Sequence, residues 1–188
     1  MSDSGDGRAV RNGVGERDGP VLPVAVGALD GSGTRVVARI LEELGFFMGL
    51  DLNHAWDNLW FTLLFKRHRW YYDADRDDVL RHLRLFEGAM TGRLRVGPGA
   101  VATILRAAAE QTVHGYDLLG AGRGMWPWYR VRSLAWARIR GRPDRPARWG
   151  WKEPSTHVFL PEVADHFGGR VRYLHVVRHG LDMAVSSN

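Results

Sequence analysis

Three groups of residues in this chain have the types and spacing to do chemistry. The first is Gly31-Ser32-Gly33-Thr34-Arg35, which follows the apolar run Val21–Val26 and opens a segment, Thr34–Leu44, with apolar residues at helical spacing. A loop between strand and helix leaves backbone N–H groups unpaired at the helix start. Glycines let the chain close on a phosphate there, and the helix dipole favours negative charge. Ser32 and Thr34 add hydroxyl donors. The second group is Arg178, at the end of the apolar run Val171–Val177, with Ser186 eight residues later where a helix begins and Asp182 between them. A guanidinium and a hydroxyl so placed can grip one phosphate from two sides. The third is Trp151-Lys152-Glu153-Pro154-Ser155-Thr156-His157, which closes a short strand and opens a helix. Lys152 can stabilise negative charge that develops on a reacting group. Glu153 and His157 are the two candidate bases, with histidine favoured by its pKa and glutamate requiring burial to raise its own.

The anion such a loop takes is narrowed by what it lacks. A Walker A loop carries Gly-Lys-Ser/Thr after Gly and four residues. Here Gly33 is followed by Thr34 and Arg35, so an ATP kinase is demoted. The dinucleotide pattern Gly-x-Gly-x-x-Gly fails at Val36, which demotes a nicotinamide dehydrogenase. The Ser-Gly-Thr loop after a strand resembles the 5'-phosphosulfate loop of sulfotransferases that use 3'-phosphoadenosine 5'-phosphosulfate (PAPS). The strand-end Arg178 with Ser186 eight residues on resembles the pair with which that family holds the 3'-phosphate. The resemblance covers Val21–Gly45 and Trp149–Asn188, and the middle of the chain carries no motif that matches.

The resemblance implies an α/β domain with a P-loop-like parallel sheet, flanking helices and a helical insertion. It implies transfer of a sulfuryl group from PAPS to a hydroxyl or amine of an acceptor that the sequence leaves open among carbohydrate, lipid, small molecule and peptide; no metal is expected. Gly31–Arg35 would then hold the phosphosulfate, Arg178 and Ser186 the 3'-phosphate, and Lys152 the sulfuryl group, as similar lysines of the family do. One position departs from the family. Where it carries Lys or Arg before Ser-Gly-Thr this chain has Gly31, leaving Arg35 and Lys152 to supply the charge. That departure keeps open a nucleotide-binding module without transferase activity, and a P-loop kinase is the third reading.

The elements that must position these groups read as an α/β chain. Residues 1–20 form a polar leader, and residues 21–188 are expected to be one domain. Between Asp51 and Gly141 the spacing predicts helices over Ala55–His68, Asp75–Met90, Pro98–Val113 and Trp126–Arg140. Strands are expected at Val21–Val26, Arg148–Lys152 and Val171–Val177, with a helix over Pro161–Phe167. Trp56, Trp60, Phe61 and Phe65, and also Met125, Tyr129, Arg132 and Trp136, recur at helical spacing; core packing is the favoured reading, an acceptor-pocket wall the alternative. The chain stops at Asn188 inside a helix, which reads as a domain cut within its cofactor site.

Composition sets the limits. A chain of 188 residues that is 45% hydrophobic and 11% aromatic can bury a core. Cys 0 excludes disulfides, thiolate metal sites and cysteine nucleophiles. His54, His68, His82 and His114 lack metal-ligand spacing. No apolar run nears the roughly 20 residues of a membrane span, and the N-terminus is no signal peptide, so a cytoplasmic protein is expected. Lys+Arg 26 against Asp+Glu 21 gives a net charge of +5, and Lys66 and Lys152 are the only lysines. The arginines are scattered, which argues against nucleic acid and suits a small anionic ligand. Oligomeric state is not legible from the sequence.

Overall fold

The computed structural model describes residues 22–29, 31–94, 97–114, 125–132 and 148–184. The expected leader, Ser186, Trp136 and the end of the Trp126–Arg140 helix lie outside them. Three parallel strands form a small open sheet in the order β2-β1-β3, with β1 at Val24–Ala28, β2 at Gly150–Lys152 and β3 at Arg172–Val176. Every residue of β1 is buried, as a central strand between two covered faces requires. Its neighbours pair in register from Val24, which sits opposite Gly150 on one side and Arg172 on the other. Gly150 has no room for a side chain, because an added Cβ would strike the Val24 carbonyl.

Helix α1 (Thr34–Glu43) returns from β1 over β1 and β2, burying Thr34, Ala38 and Leu41 and ending before Gly45 at φ 83°. Glycine supplies that left-handed turn without a Cβ clash. On this face Val24, Val26, Ala38, Leu41 and Met48 make a small apolar cluster. The larger core lies on the opposite face, where Ala25 and Trp151 of the sheet meet the helical middle of the chain. The helices there are α2 (Leu59–Phe65), α3 (His68–Asp73), α4 (Arg76–Met90) and α5 (Pro98–His114), and residues 126–132 are also helical. Phe61 stacks on Phe65 at 4.4 Å and on Trp151 at 6.1 Å, tying the helical block to β2. A 3-10 turn at Pro154–Phe159 leads to α6 (Leu160–His166), and α7 (Gly180–Ala184) follows β3.

Several boundaries correct the sequence reading. The expected Ala55–His68 helix is instead a loop followed by α2 and α3. Asn58 caps α2 by accepting from the backbone N–H of Trp60 and Phe61, each at 3.1 Å, and Trp56 before it has φ 66°. An Asn at an N-cap competes with the helical path upstream of it, so the helix starts later than its apolar spacing suggests. Asp73 ends α3, while Asp75, at the start of the expected Asp75–Met90 helix, caps α4 through the Asp78 N–H. The helix expected directly after Lys152 opens as a 3-10 turn, with Pro154 at its start. β3 is apolar in sequence yet largely exposed, Leu174 at 39%, because among the described residues it packs chiefly against β1, whereas β2, also an edge strand, is covered by α1 and the helical block. Trp60, Phe61 and Phe65 are core, as packing predicts, whereas Met125 and Tyr129 are exposed.

A buried polar network braces the helical block. Arg67 donates to the Leu64 carbonyl at 3.1 Å, to Glu110 at 3.1 Å and to His82 Nε2 at 2.8 Å. Because arginine only donates, His82 Nε2 is the acceptor and Nδ1 carries the proton given to the Asp78 carbonyl at 2.7 Å. Burial, with the Arg67 charge acting the same way, pushes the His82 pKa down to about 4. Among the described residues no helix is long and apolar enough to cross a membrane.

Candidate functional site

The three sequence groups meet at one edge of the sheet because their strands are parallel and share a register. All three strands end on the same side, which in an open parallel sheet is where ligands bind. β1 runs out at Ala28 into a tight loop, where the Ser32 N–H and hydroxyl both donate to the Leu29 carbonyl, at 3.3 and 2.6 Å. Gly31 and Gly33 have φ 83° and 88°, backbone positions that a side chain would strain. Gly33 is the N-cap of α1 and offers no side-chain cap, and the space beyond its Cα is open. Among the described residues, no side chain therefore caps the first N–H groups of α1. Ser32 and Thr34 are buried into the loop, while Arg35 is exposed on the first turn of α1.

Arg178 reaches this loop from the far end of the sequence. β3 pairs Val176 with Ala28, so Arg178 and Gly31 both lie just past the ends of adjacent strands. Arg178 Nη1 donates to the Gly31 carbonyl at 3.3 Å across 147 residues. Arg178 is an exposed residue beside this loop.

β2 brings Lys152 and Glu153 to the other flank, with Lys152 opposite Val26 and the Glu153 N–H donating to the Val26 carbonyl at 3.1 Å. Successive residues of a strand point to opposite faces. Lys152, level with Val26, thus projects on the α1 side and Glu153 on the helical-block side. Lys152 is 4% exposed, and its ammonium donates to the Ala55 carbonyl at 3.0 Å and pairs with Asp57. Glu153 is fully buried. Its Oε1 accepts from Lys66 at 3.3 Å and its Oε2 from the Ser155 N–H at 2.8 Å, which caps the 3-10 turn. Burial raises the Glu153 pKa against the lowering pull of Lys66, and the nearby Asp57 charge adds to the rise. His157 is exposed at the end of that turn, its Nδ1 engaged by the Pro154 carbonyl at 2.9 Å.

The loop, Arg178 and Lys152–Glu153 are thus gathered at one edge, and Ser186 lies outside the described residues. Sequence reasoning missed Asp57, Asn53 and Lys66, all from the helical middle. A signal was present: in a chain whose positive charge is almost all arginine, the two lysines both meet carboxylates at the end of β2. Among the described residues, no three His, Asp or Glu side chains are grouped to hold a metal ion. Compared with known proteins, the chain matches no family model, no curated protein and no solved structure.

Proposed function

We propose that the chain binds PAPS at the C-terminal edge of a P-loop-like sheet and transfers its sulfuryl group to an acceptor hydroxyl or amine. The observation that carries the reading is the contact of Arg178 with Gly31, which joins the two phosphate-binding motifs across the whole sequence. The open N-terminus of α1 cradles the 5'-phosphosulfate, with Arg35 beside it. Arg178 takes the 3'-phosphate, together with Ser186 as the resemblance implies. Lys152 lies on the opposite flank, where the sulfuryl group is displaced from the phosphate.

Calorimetry with 3',5'-adenosine bisphosphate tests this reading. A charged hydrogen bond to phosphate contributes about 1.5–3 kcal/mol, so Arg178→Ala weakens binding by roughly 10-fold to 150-fold. Unchanged affinity in both Arg178→Ala and Ser186→Ala refutes the assignment. Gly31, standing where the resembling family has a cation, favours a second reading in which the nucleotide is bound without transfer. Movement of labelled sulfate from PAPS to any acceptor overturns that second reading.

A further inference from the structure

We propose that Arg178 supplies the cation that residue 31 lacks, its guanidinium contacting the 5'-phosphosulfate as well as the 3'-phosphate. The inference rests on the PAPS-binding reading and adds to it the source of positive charge at the 5' end of the nucleotide. Where the resembling family has Lys or Arg before Ser-Gly-Thr, this chain has Gly31, and the sequence offers Arg35 and Lys152 in its place. The structure separates the available cations by what already holds each of them.

Lys152 is buried, and its ammonium is taken up by the Ala55 carbonyl and Asp57. Drawing it away would leave a carboxylate unpaired, which is costly. Lys66, the other lysine, faces the enclosed Glu153. Arg35 is exposed on the first turn of α1, and its side chain makes no hydrogen bond or ion pair among the described residues. Its rotamer freedom is still to be lost when a ligand orders it. Arg178 differs from all three. Its Nη1 donates to the Gly31 carbonyl at 3.3 Å, so a cation is already fixed at the residue where the charge is missing.

The surroundings of that contact point to an anion. Gly31 stands two residues before Gly33, the N-cap of α1, so their Cα atoms lie at most about 7.6 Å apart. The guanidinium is thereby held near the positive end of the α1 dipole, where the first turn carries no acid and no side chain caps it. Among the described residues, no carboxylate pairs with Arg178. Two positive features brought together without a counter-charge repel, and a bound anion relieves that repulsion. A guanidinium also carries several N–H donors, of which the Gly31 carbonyl takes one. The others can hold phosphate oxygens while the contact with the loop persists.

Calorimetry with adenosine 5'-phosphate, adenosine 3'-phosphate and 3',5'-adenosine bisphosphate separates the two ends of the nucleotide. Arg178→Gln keeps a donor for the Gly31 carbonyl and loses the charge, so a merely bracing side chain would survive it. The expected result is that Arg178→Gln weakens adenosine 5'-phosphate by roughly tenfold or more. Arg35→Gln, made for comparison, weakens it less. Both residues are exposed, so both variants should keep the stability of the unsubstituted chain in urea unfolding. Weaker binding of the 3'-phosphate and the bisphosphate with adenosine 5'-phosphate unchanged overturns the inference and leaves the nucleotide reading standing. A larger loss in Arg35→Gln than in Arg178→Gln overturns it too, as does an unsubstituted chain that binds the bisphosphate but not adenosine 5'-phosphate. Absence of bisphosphate binding refutes the nucleotide reading itself, and the inference falls with it.

Discussion

Acid will destabilise this protein through one histidine, and the size of the effect follows from its surroundings. His82 is 4% exposed, accepts at Nε2 from Arg67 and donates from Nδ1 to the Asp78 carbonyl. Adding a proton at Nε2 sets an N–H against an arginine N–H in a buried space, and the pKa drops from 6.5 to about 4. A histidine whose folded pKa lies below its unfolded one stabilises the fold while neutral; that contribution is present above pH 6.5 and is lost as pH falls toward 4. One pKa unit corresponds to about 1.4 kcal/mol, so the loss is about 2 kcal/mol by pH 5 and about 3 kcal/mol by pH 4. Urea unfolding at pH 7, 6, 5 and 4, at constant ionic strength, measures it. Carboxylates titrate over part of the same range, so the comparison is with His82→Gln, whose amide accepts from Arg67 without titrating. The stability difference between the two proteins should shift toward His82→Gln by those amounts. A difference that stays flat from pH 7 to 4, or a His82 titration by NMR near pH 6.5, refutes the reasoning.

Other substitutions probe the frame of the site. Gly150→Ala drives a methyl group into the Val24 carbonyl and should unpair β2 from β1, lowering stability by more than about 3 kcal/mol in denaturant titration. Asn58→Ala removes a buried side chain that caps α2 and holds the Met48 carbonyl at 3.0 Å, costing about 2 kcal/mol by the same measurement. Glu153→Ala should lower stability by about 3 kcal/mol, since it removes the carboxylate facing Lys66 and the cap of the 3-10 turn. Glu153→Gln keeps that cap and loses less; equal losses in the two variants would contradict the capping role.

The parts of the site legible in the sequence are those that depend on neighbours in the chain. Gly31 and Gly33 between an apolar strand and an amphipathic helix announce a left-handed turn and an open helix start, because only local backbone geometry is involved. Arg178 at a strand end and Asp75 as a cap belong to the same class. The Ala55–His68 reading failed where a local rule was outvoted. Asn53, Asn58 and Lys152 together bend residues 53–58 out of the helix, and Lys152 comes from about a hundred residues away.

What the sequence by itself determined was a mixed α/β chain with a buried strand, a glycine loop before a helix, a strand-end arginine and an aromatic helical core, all consequences of periodicity and local backbone chemistry. Only the tertiary structure decided what these residues face. Parallel register carries Arg178 to Gly31 across 147 residues. The alternation of β2 sends Lys152 to one face and Glu153 to the other. Burial then turns Glu153 inward onto Lys66, while Lys152 pairs with Asp57 on the other face. Pairing partners, burial and exposure are properties of surfaces that meet in space, and no spacing along the chain encodes them singly.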